Sequence, residues 1–249
     1  MTTRTRGTLL FVDGIDGAGK STLIDALAES FLDKDFQYYE HYNHITETFK
    51  FPSKMPAYTD KTDPLTSTLF YVNDFRNSMR SHRRTDQKLD TYRIFDRSFV
   101  TTMAYQGFNT QQGEPLTNPF FEAIFRFGAS ALLSNQTVKD LQRKKDVYFL
   151  SVKCNPEVAA ERVLDRTTDR VGEIEDIEEE SELIERLATL QDRFSLCYSH
   201  IRMNIAQLWP ENNYSFLEVD STVLNSDMLL ETTMGHLSPL IWPQQQALF

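Results

Sequence analysis

The chain has 249 residues, 40% of them hydrophobic, a length that suits one α/β domain with a sizeable core. Its formal net charge of −10 argues against binding to nucleic acid, because the phosphate backbone attracts a basic face. Two widely spaced cysteines, no apolar stretch of bilayer length and the polar start MTTRTRG favour a reduced, cytoplasmic protein with no membrane contact and no signal peptide.

Strands and helices are predicted to alternate along the chain. Strands are expected at 9–12, 36–42, 91–96, 147–153 and 215–219, and helices at 20–33, 65–81, within 97–107, and at 120–141, 155–170, 183–205 and 227–236. Gly113 and Pro115 interrupt the pattern between two of the helices. This alternation is typical of a parallel sheet with helices on both faces, so we predict one α/β domain over residues 1–249.

The first strand leads into a glycine-rich loop, GIDGAGKS, at residues 14–21, which fits the phosphate-loop pattern G-x-x-x-x-G-K-S. Its glycines let the backbone N–H groups point at phosphate oxygens, beside the positive end of a helix dipole. We therefore predict binding of a nucleoside triphosphate, with Lys20 on the β- and γ-phosphates and Ser21 on magnesium. The expected triphosphate-binding residues are Gly14, Asp16, Gly17, Ala18, Gly19, Lys20, Ser21 and Thr22.

A second candidate site follows the predicted strand 91–96, which ends in Asp96 and is followed by Arg97. The C-terminal ends of parallel strands line the ligand crevice of such folds. An acid there holds magnesium through water or accepts a proton, and an arginine clamps phosphate with two hydrogen bonds. A surface ion pair explains an Asp-Arg dipeptide equally well, so the dipeptide alone does not decide.

The order of the motifs from residue 9 to about 194 resembles the thymidylate kinase family. The motifs are the phosphate loop, Asp-Arg-Ser at 96–98, Ala-Tyr-Gln-Gly at 104–107, Pro-Glu-Val-Ala at 156–159 and the arginine-bearing segment that follows. The resemblance implies a nucleoside-monophosphate-kinase fold with a five-stranded parallel sheet and a lid at about 162–180. It also implies transfer of the γ-phosphoryl group of ATP to a deoxynucleoside monophosphate, with Mg²⁺.

The resemblance assigns roles to single residues on the acceptor side. Arg97 is expected to hold the acceptor phosphate, Tyr105 to stack under the sugar and Gln106 to bind the base. Asp13 is expected near the transferring phosphoryl group or the magnesium ion, which Ser21 and Asp96 would hold.

A mobile arginine is expected from the lid, because the loop interior Ile-Asp-Gly-Ala at 15–18 contains none. Arg166 or Arg170 is the candidate for stabilising transition-state charge, whereas Arg162 is expected to anchor the segment.

Two departures from the family concern acceptor recognition. The family places an arginine four residues after a base-stacking phenylalanine, whereas here Asp74 follows Phe70 at that spacing. An acid accepts hydrogen bonds, and thymine presents a carbonyl where cytosine and adenine present an amino group. The family's motif at the second strand is also absent, and Lys50 and Lys54 are expected to supply its positive charge. The preferred base therefore stays open.

The function expected from the resemblance is conversion of dTMP to dTDP in nucleotide biosynthesis. The protein would act as a homodimer packed through helices near Leu69 and Phe120. One alternative is a monophosphate kinase for dCMP, dUMP or a modified pyrimidine. Another is a deoxynucleoside kinase for a free nucleoside, although such kinases carry Glu-Arg-Ser where this chain has Asp-Arg-Ser at 96–98. A GTP-dependent switch would need an N-K-x-D run, which the sequence lacks.

Overall fold

A computed structural model describes residues 8–32, 39–42, 68–69, 71–73, 75–76, 79, 92–111, 114–133, 146–168, 179–210 and 212–241. The strands are β1 (Thr8–Asp13), β2 (Tyr39–Tyr42), β3 (Tyr92–Asp96), β4 (Phe108–Gln111), β5 (Glu114–Thr117), β6 (Asp146–Lys153) and β7 (Asn213–Asp220). The helices are α1 (Lys20–Leu32), α2 (Phe99–Gln106), α3 (Pro119–Leu133), α4 (Pro156–Thr168), α5 (Glu180–Leu208) and α6 (Ser226–Ile241). The described residues between 68 and 79 are helical as well.

Five strands form one sheet in the order β2-β3-β1-β6-β7, and each neighbouring pair is parallel. The predicted α/β class and parallel sheet are thus confirmed. Because β1 lies at the centre and Val12 pairs with Asp96, the ends of β1 and β3 lie side by side. This register brings the phosphate loop next to the Asp-Arg turn.

The core is built on strands that are buried on both faces. Every residue of β1 is buried, and the Phe11 ring packs 4.9 Å from that of Phe95 and 5.4 Å from that of Phe149. Such burial stabilises the fold by about 1.5–3 kcal/mol for each large apolar side chain. Apolar runs of this kind are expected for parallel strands covered by helices.

Helix α5 has the apolar periodicity of a helix with one buried face. One face of this 29-residue helix is buried, and its residues recur at intervals of three and four along the helix. The buried residues are Leu183, Leu187, Leu190, Phe194, Cys197, Tyr198, Ile201 and Ile205. In the part of the chain that the structure describes, no helix combines the length and apolar character needed to cross a membrane.

The sequence did not indicate the hairpin formed by β4 and β5. These strands pair antiparallel, with Phe108 opposite Thr117 and Thr110 opposite Pro115, where the sequence showed only pattern breakers. A two-stranded ribbon tolerates proline because each strand has a free edge. Phe108 attaches the hairpin to the core through an edge-to-face contact with Phe121 at 5.1 Å. Without alternating apolar residues, the strands carried no period-two signal.

A matched pair of helix glycines tests this packing. A Cβ on Gly128 of α3 would lie 2.2 Å from Cγ of the buried Phe99, whereas Gly235 of α6 has nothing within 4 Å. Gly128→Ala should lower the free energy of unfolding by about 1–2 kcal/mol, because overpacking outweighs the gain in helix propensity. Gly235→Ala should raise it by up to about 1 kcal/mol. Urea titration measures both, and a stabilised Gly128→Ala would contradict the packing described here.

Candidate active site

The phosphate loop runs from the end of β1 to the start of α1, and two of its glycines cannot carry a side chain. Gly14 has φ 154°, and a Cβ there would lie 2.3 Å from the carbonyl oxygen of Val152 on β6. Gly17 has φ 78°, and its Cβ would lie 2.2 Å from the carbonyl oxygen of Ala159 on α4. The loop is therefore pressed against both neighbouring elements, and only glycine fits.

Lys20, the first residue of α1, is almost fully buried, and its Nζ donates to the carbonyl oxygen of Ile15 at 2.7 Å. Burial and the positive charge of Arg97 lower the pKa of Lys20 to about 8, while Asp16 and Asp96 act in the opposite direction. The amine still carries its proton at neutral pH. The loop thus holds a positive charge at its centre.

Arg97 lies directly after β3 in a left-handed conformation, with φ 73°, which is uncommon for a residue with a side chain. Its backbone N–H donates to the carbonyl oxygen of Val12 at 2.9 Å, and its Nη2 lies 2.5 Å from Oδ1 of Asp16. Burial opposes the charge, but Asp16 outweighs it and raises the pKa of Arg97. The guanidinium is therefore fixed beside the phosphate loop.

Asp16 links the loop to α2. Burial raises the pKa of its carboxyl, but the charges of Arg97 and Lys20 outweigh this and hold the pKa below its usual value. The hydroxyl of Tyr105 donates to Oδ2 of Asp16 at 3.0 Å. Burial and the Asp16 charge raise the pKa of Tyr105 to about 12, so the phenol stays neutral. The sequence assigned Asp16 to the donor, whereas its carboxylate contacts two residues expected at the acceptor.

A cleft of about 290 Å³ opens between the loop, the end of β3 and α4. It is lined by Asp16, Gly17, Gly19, Lys20, Ser21, Asp96, Arg97, Val163 and Arg166. Apart from Val163, these are residues that the sequence singled out. The cleft therefore brings the phosphate loop, the strand-end acid and arginine, and one lid arginine to the same space.

The family model described as thymidylate kinase matches residues 12–122. Over these residues the chain is similar to the thymidylate kinase family. That family consists of nucleoside monophosphate kinases, which are phosphotransferases. No curated protein matches the sequence. The match contains the loop, the Asp-Arg turn and Tyr105, whereas α4 and the elements after it lie beyond the match.

Asp13, which the resemblance expects near the phosphoryl group or magnesium, accepts hydrogen bonds from the start of α2. It is fully buried and does not line the cleft. Its oxygens accept hydrogen bonds from the backbone N–H of Ser98 at 2.8 Å, the Ser98 hydroxyl at 2.6 Å and the Thr101 hydroxyl at 2.6 Å. Burial raises the pKa of this carboxyl. Through these hydrogen bonds Asp13 holds the first turn of α2, and its expected place near the phosphoryl group or magnesium stays a prediction.

Of the remaining predicted site residues, some are described by the structure and others are not. Phe70, Asp74 and Arg170 lie outside the described residues. Thr22 is exposed on α1, Ala18 is buried under the loop, and Gln106 is half-buried at the end of α2.

Arg162 and Ser221 contact the rear of the phosphate loop. Arg162 turns away from the cleft, and its Nη2 donates to the carbonyl oxygen of Ser221 at 3.0 Å. The sequence analysis did not single out Ser221, because a lone serine after a strand carries no motif.

Two adjacent threonines on α2 test the role of Asp13. Thr101 and Thr102 are both buried, but only Thr101 is among the donors to Asp13. Thr101→Val should lower the free energy of unfolding by about 1–3 kcal/mol, because a buried carboxylate loses a hydrogen bond. Thr102→Val should change it much less. Chemical denaturation compares the two variants, and equal losses would refute this role for Asp13.

Proposed function

We propose that this protein transfers the γ-phosphoryl group of ATP to a deoxynucleoside monophosphate, with dTMP as the preferred acceptor and dTDP as the product. The carrying observation is that two cations, the buried Lys20 on the phosphate loop and the half-buried Arg97 at the strand end, line one cleft. Phosphoryl transfer needs mainly positioning and charge neutralisation, which such cations supply. The family match supports transfer to a nucleoside monophosphate, and the base is part of the proposal.

On the donor side, the loop residues 14–19 would hold the triphosphate through backbone N–H groups. Lys20 would then exchange its hydrogen bond with the Ile15 carbonyl for the β- and γ-phosphate oxygens. Thr22 follows at the start of α1, where the helix dipole adds to the attraction.

The oxygen atoms that line the cleft could also bind Mg²⁺. Asp96 has a buried oxygen, Oδ1, that finds no hydrogen-bond partner among the described residues, and Asp96 lines the cleft together with Ser21. Mg²⁺ typically takes one or two protein oxygens besides phosphate and water. Ser21 and Asp96 would therefore hold the ion, which supplies charge neutralisation on the donor phosphates.

On the acceptor side, Arg97 would clamp the monophosphate while Asp16 holds the guanidinium from behind. Two contacts orient the Tyr105 side chain. Its hydroxyl donates to Asp16, and its ring packs edge-to-face on the ring of Phe194, with the centroids 6.4 Å apart. A ring fixed in this way would stack on the sugar, and Gln106 would contact the base. Phe70 and Asp74 would complete base recognition.

The lid would contribute charge from the other side of the cleft. Arg166 is exposed on α4 and lines the cleft, which supports a role for it beside the transferring phosphoryl group. Arg170 would act from the same lid segment. An arginine that neutralises transition-state charge raises the rate by orders of magnitude.

An ADP-release assay with ATP, Mg²⁺ and a panel of acceptors tests the proposal. We expect the highest kcat/KM with dTMP among dTMP, dUMP, dCMP, dAMP, dGMP, UMP, thymidine and deoxycytidine. A preference for dCMP, dUMP or another monophosphate would change the base but keep the reaction. Turnover of nucleosides alone would make the protein a deoxynucleoside kinase. No turnover of any acceptor would contradict the proposal.

Two variants in the cleft and one surface variant test which residues the reaction needs. Lys20→Ala and Arg97→Ala should each lower kcat/KM by more than about tenfold, which corresponds to about 1.4 kcal/mol of transition-state stabilisation. Arg126→Ala removes an exposed arginine of α3 that pairs with Glu122 at 2.7 Å, and it should leave kcat/KM unchanged. If kcat/KM fell by less than this for Lys20→Ala or Arg97→Ala, the residue concerned would have no part in phosphoryl transfer.

We further propose that the protein acts as a cytoplasmic homodimer with a single kinase domain. In support, Leu69 is 58% exposed on the helical segment named from the sequence, and Phe127 of α3 is 55% exposed. Burial of these side chains against a second copy would remove apolar surface from water. Light scattering should give twice the 28.9 kDa of one chain, and the single-chain mass at micromolar concentration would exclude the dimer.

A further inference from the structure

The rear of the phosphate loop is held by two residues from the C-terminal half of the chain. Ser221, directly after β7, is 1% exposed, and its hydroxyl donates to the carbonyl oxygen of Ala18 at 2.8 Å. Arg162 of α4 donates from Nη2 to the carbonyl oxygen of Ser221 at 3.0 Å. Its Nη1 lies 3.4 Å from the carbonyl oxygen of Gly17 and 3.4 Å from the Ser221 hydroxyl. We call Arg162 and Ser221 the rear clamp.

These contacts fix the direction of a backbone amide. In a planar trans peptide, the carbonyl of one residue and the N–H of the next point in opposite directions. The Ala18 carbonyl is directed at Ser221, which does not line the cleft. The N–H of Gly19 is therefore directed to the opposite side of the loop, and Gly19 does line the cleft.

The clamp is itself held in place. The backbone N–H of Ser221 donates to the carbonyl oxygen of Lys153 at 2.9 Å, which joins the turn after β7 to β6. Helix α4 packs so closely that a Cβ on Gly17 would lie 2.2 Å from the carbonyl oxygen of Ala159. The loop is thus enclosed between α4 and the end of the sheet, and a rotation of the Ala18–Gly19 peptide would break the hydrogen bond between Ser221 and the Ala18 carbonyl.

We propose that Arg162 and Ser221 are positioning residues for the phosphate donor. They act through the loop backbone: by binding its carbonyls from the rear, they keep the Gly19 amide directed at the donor phosphates. The identity of the donor rests on the proposed function, whereas the effect on the loop does not. Both residues lie outside the segment matched by the family model.

Steady-state kinetics separate this role from a general loss of stability. Ser221→Ala should raise KM for ATP about threefold to tenfold and leave KM for the acceptor unchanged, because one hydrogen bond to the loop is lost. Arg162→Gln should raise KM for ATP more, and Arg162→Lys should recover part of the loss because it keeps a charged donor. Thr233→Val is the matched control. It removes another buried hydroxyl, which bonds to Leu229 within α6, so both KM values should stay unchanged.

A second measurement needs no substrate. In ¹⁵N–¹H spectra of the full-length protein, Ser221→Ala and Arg162→Gln should shift the Gly19 amide resonance, and Thr233→Val should not. Unchanged Gly19 resonances would overturn the clamp, as would equal increases of both KM values in Ser221→Ala. Failure of the wild-type protein to bind a fluorescent ATP analogue would instead overturn the proposed donor. In that case the Gly19 resonance would still report whether the clamp holds the loop.

Discussion

The hydrogen bonds between Asp13 and the first turn of α2 are the constraint on which the site depends. A buried carboxylate loses several kcal/mol of hydration, and this loss is tolerated only where donors replace the water. Ser98 and Thr101 provide three such donors. The residue after Asp13 opens the phosphate loop, and the residue before Ser98 is Arg97. One buried group therefore fixes the start of the phosphate loop and Arg97 relative to each other.

The cleft next to these hydrogen bonds is lined by both positive and negative side chains. Burial and repulsion from Arg97 lower the pKa of Lys20, and the carboxylate of Asp16 lies between Arg97 and Tyr105. The acids keep both cations in place, because an unpaired buried charge would be costly. A ligand with several phosphate oxygens would meet cations that are already oriented, so little reorganisation would be needed when it binds.

Much of this arrangement was predictable from the sequence, for physical reasons that differ between elements. Strands β1 and β6 are recognisable in the sequence because they are apolar runs. The loop is recognisable by its glycine spacing, since only glycine fits against Val152 and Ala159. The direction of the Asp13 side chain was not predictable, because an acid beside a phosphate loop serves chemistry and structure equally well. The hairpin β4–β5 lacks a hydrophobic period. Ser221 acts through tertiary contacts that leave no pattern in its neighbours.

The contact between Ser221 and Ala18 joins residues 203 positions apart in the chain. The whole phosphate-loop motif leaves the ribosome long before Ser221, which lies in the turn after β7. Contacts over such a separation form late, because a long chain segment must first be closed. A nascent or truncated chain that ends before β7 would thus contain every residue of the motif without the hydrogen bond that holds the Ala18 carbonyl. The backbone of the phosphate loop is therefore fully supported only once β7 has joined the sheet.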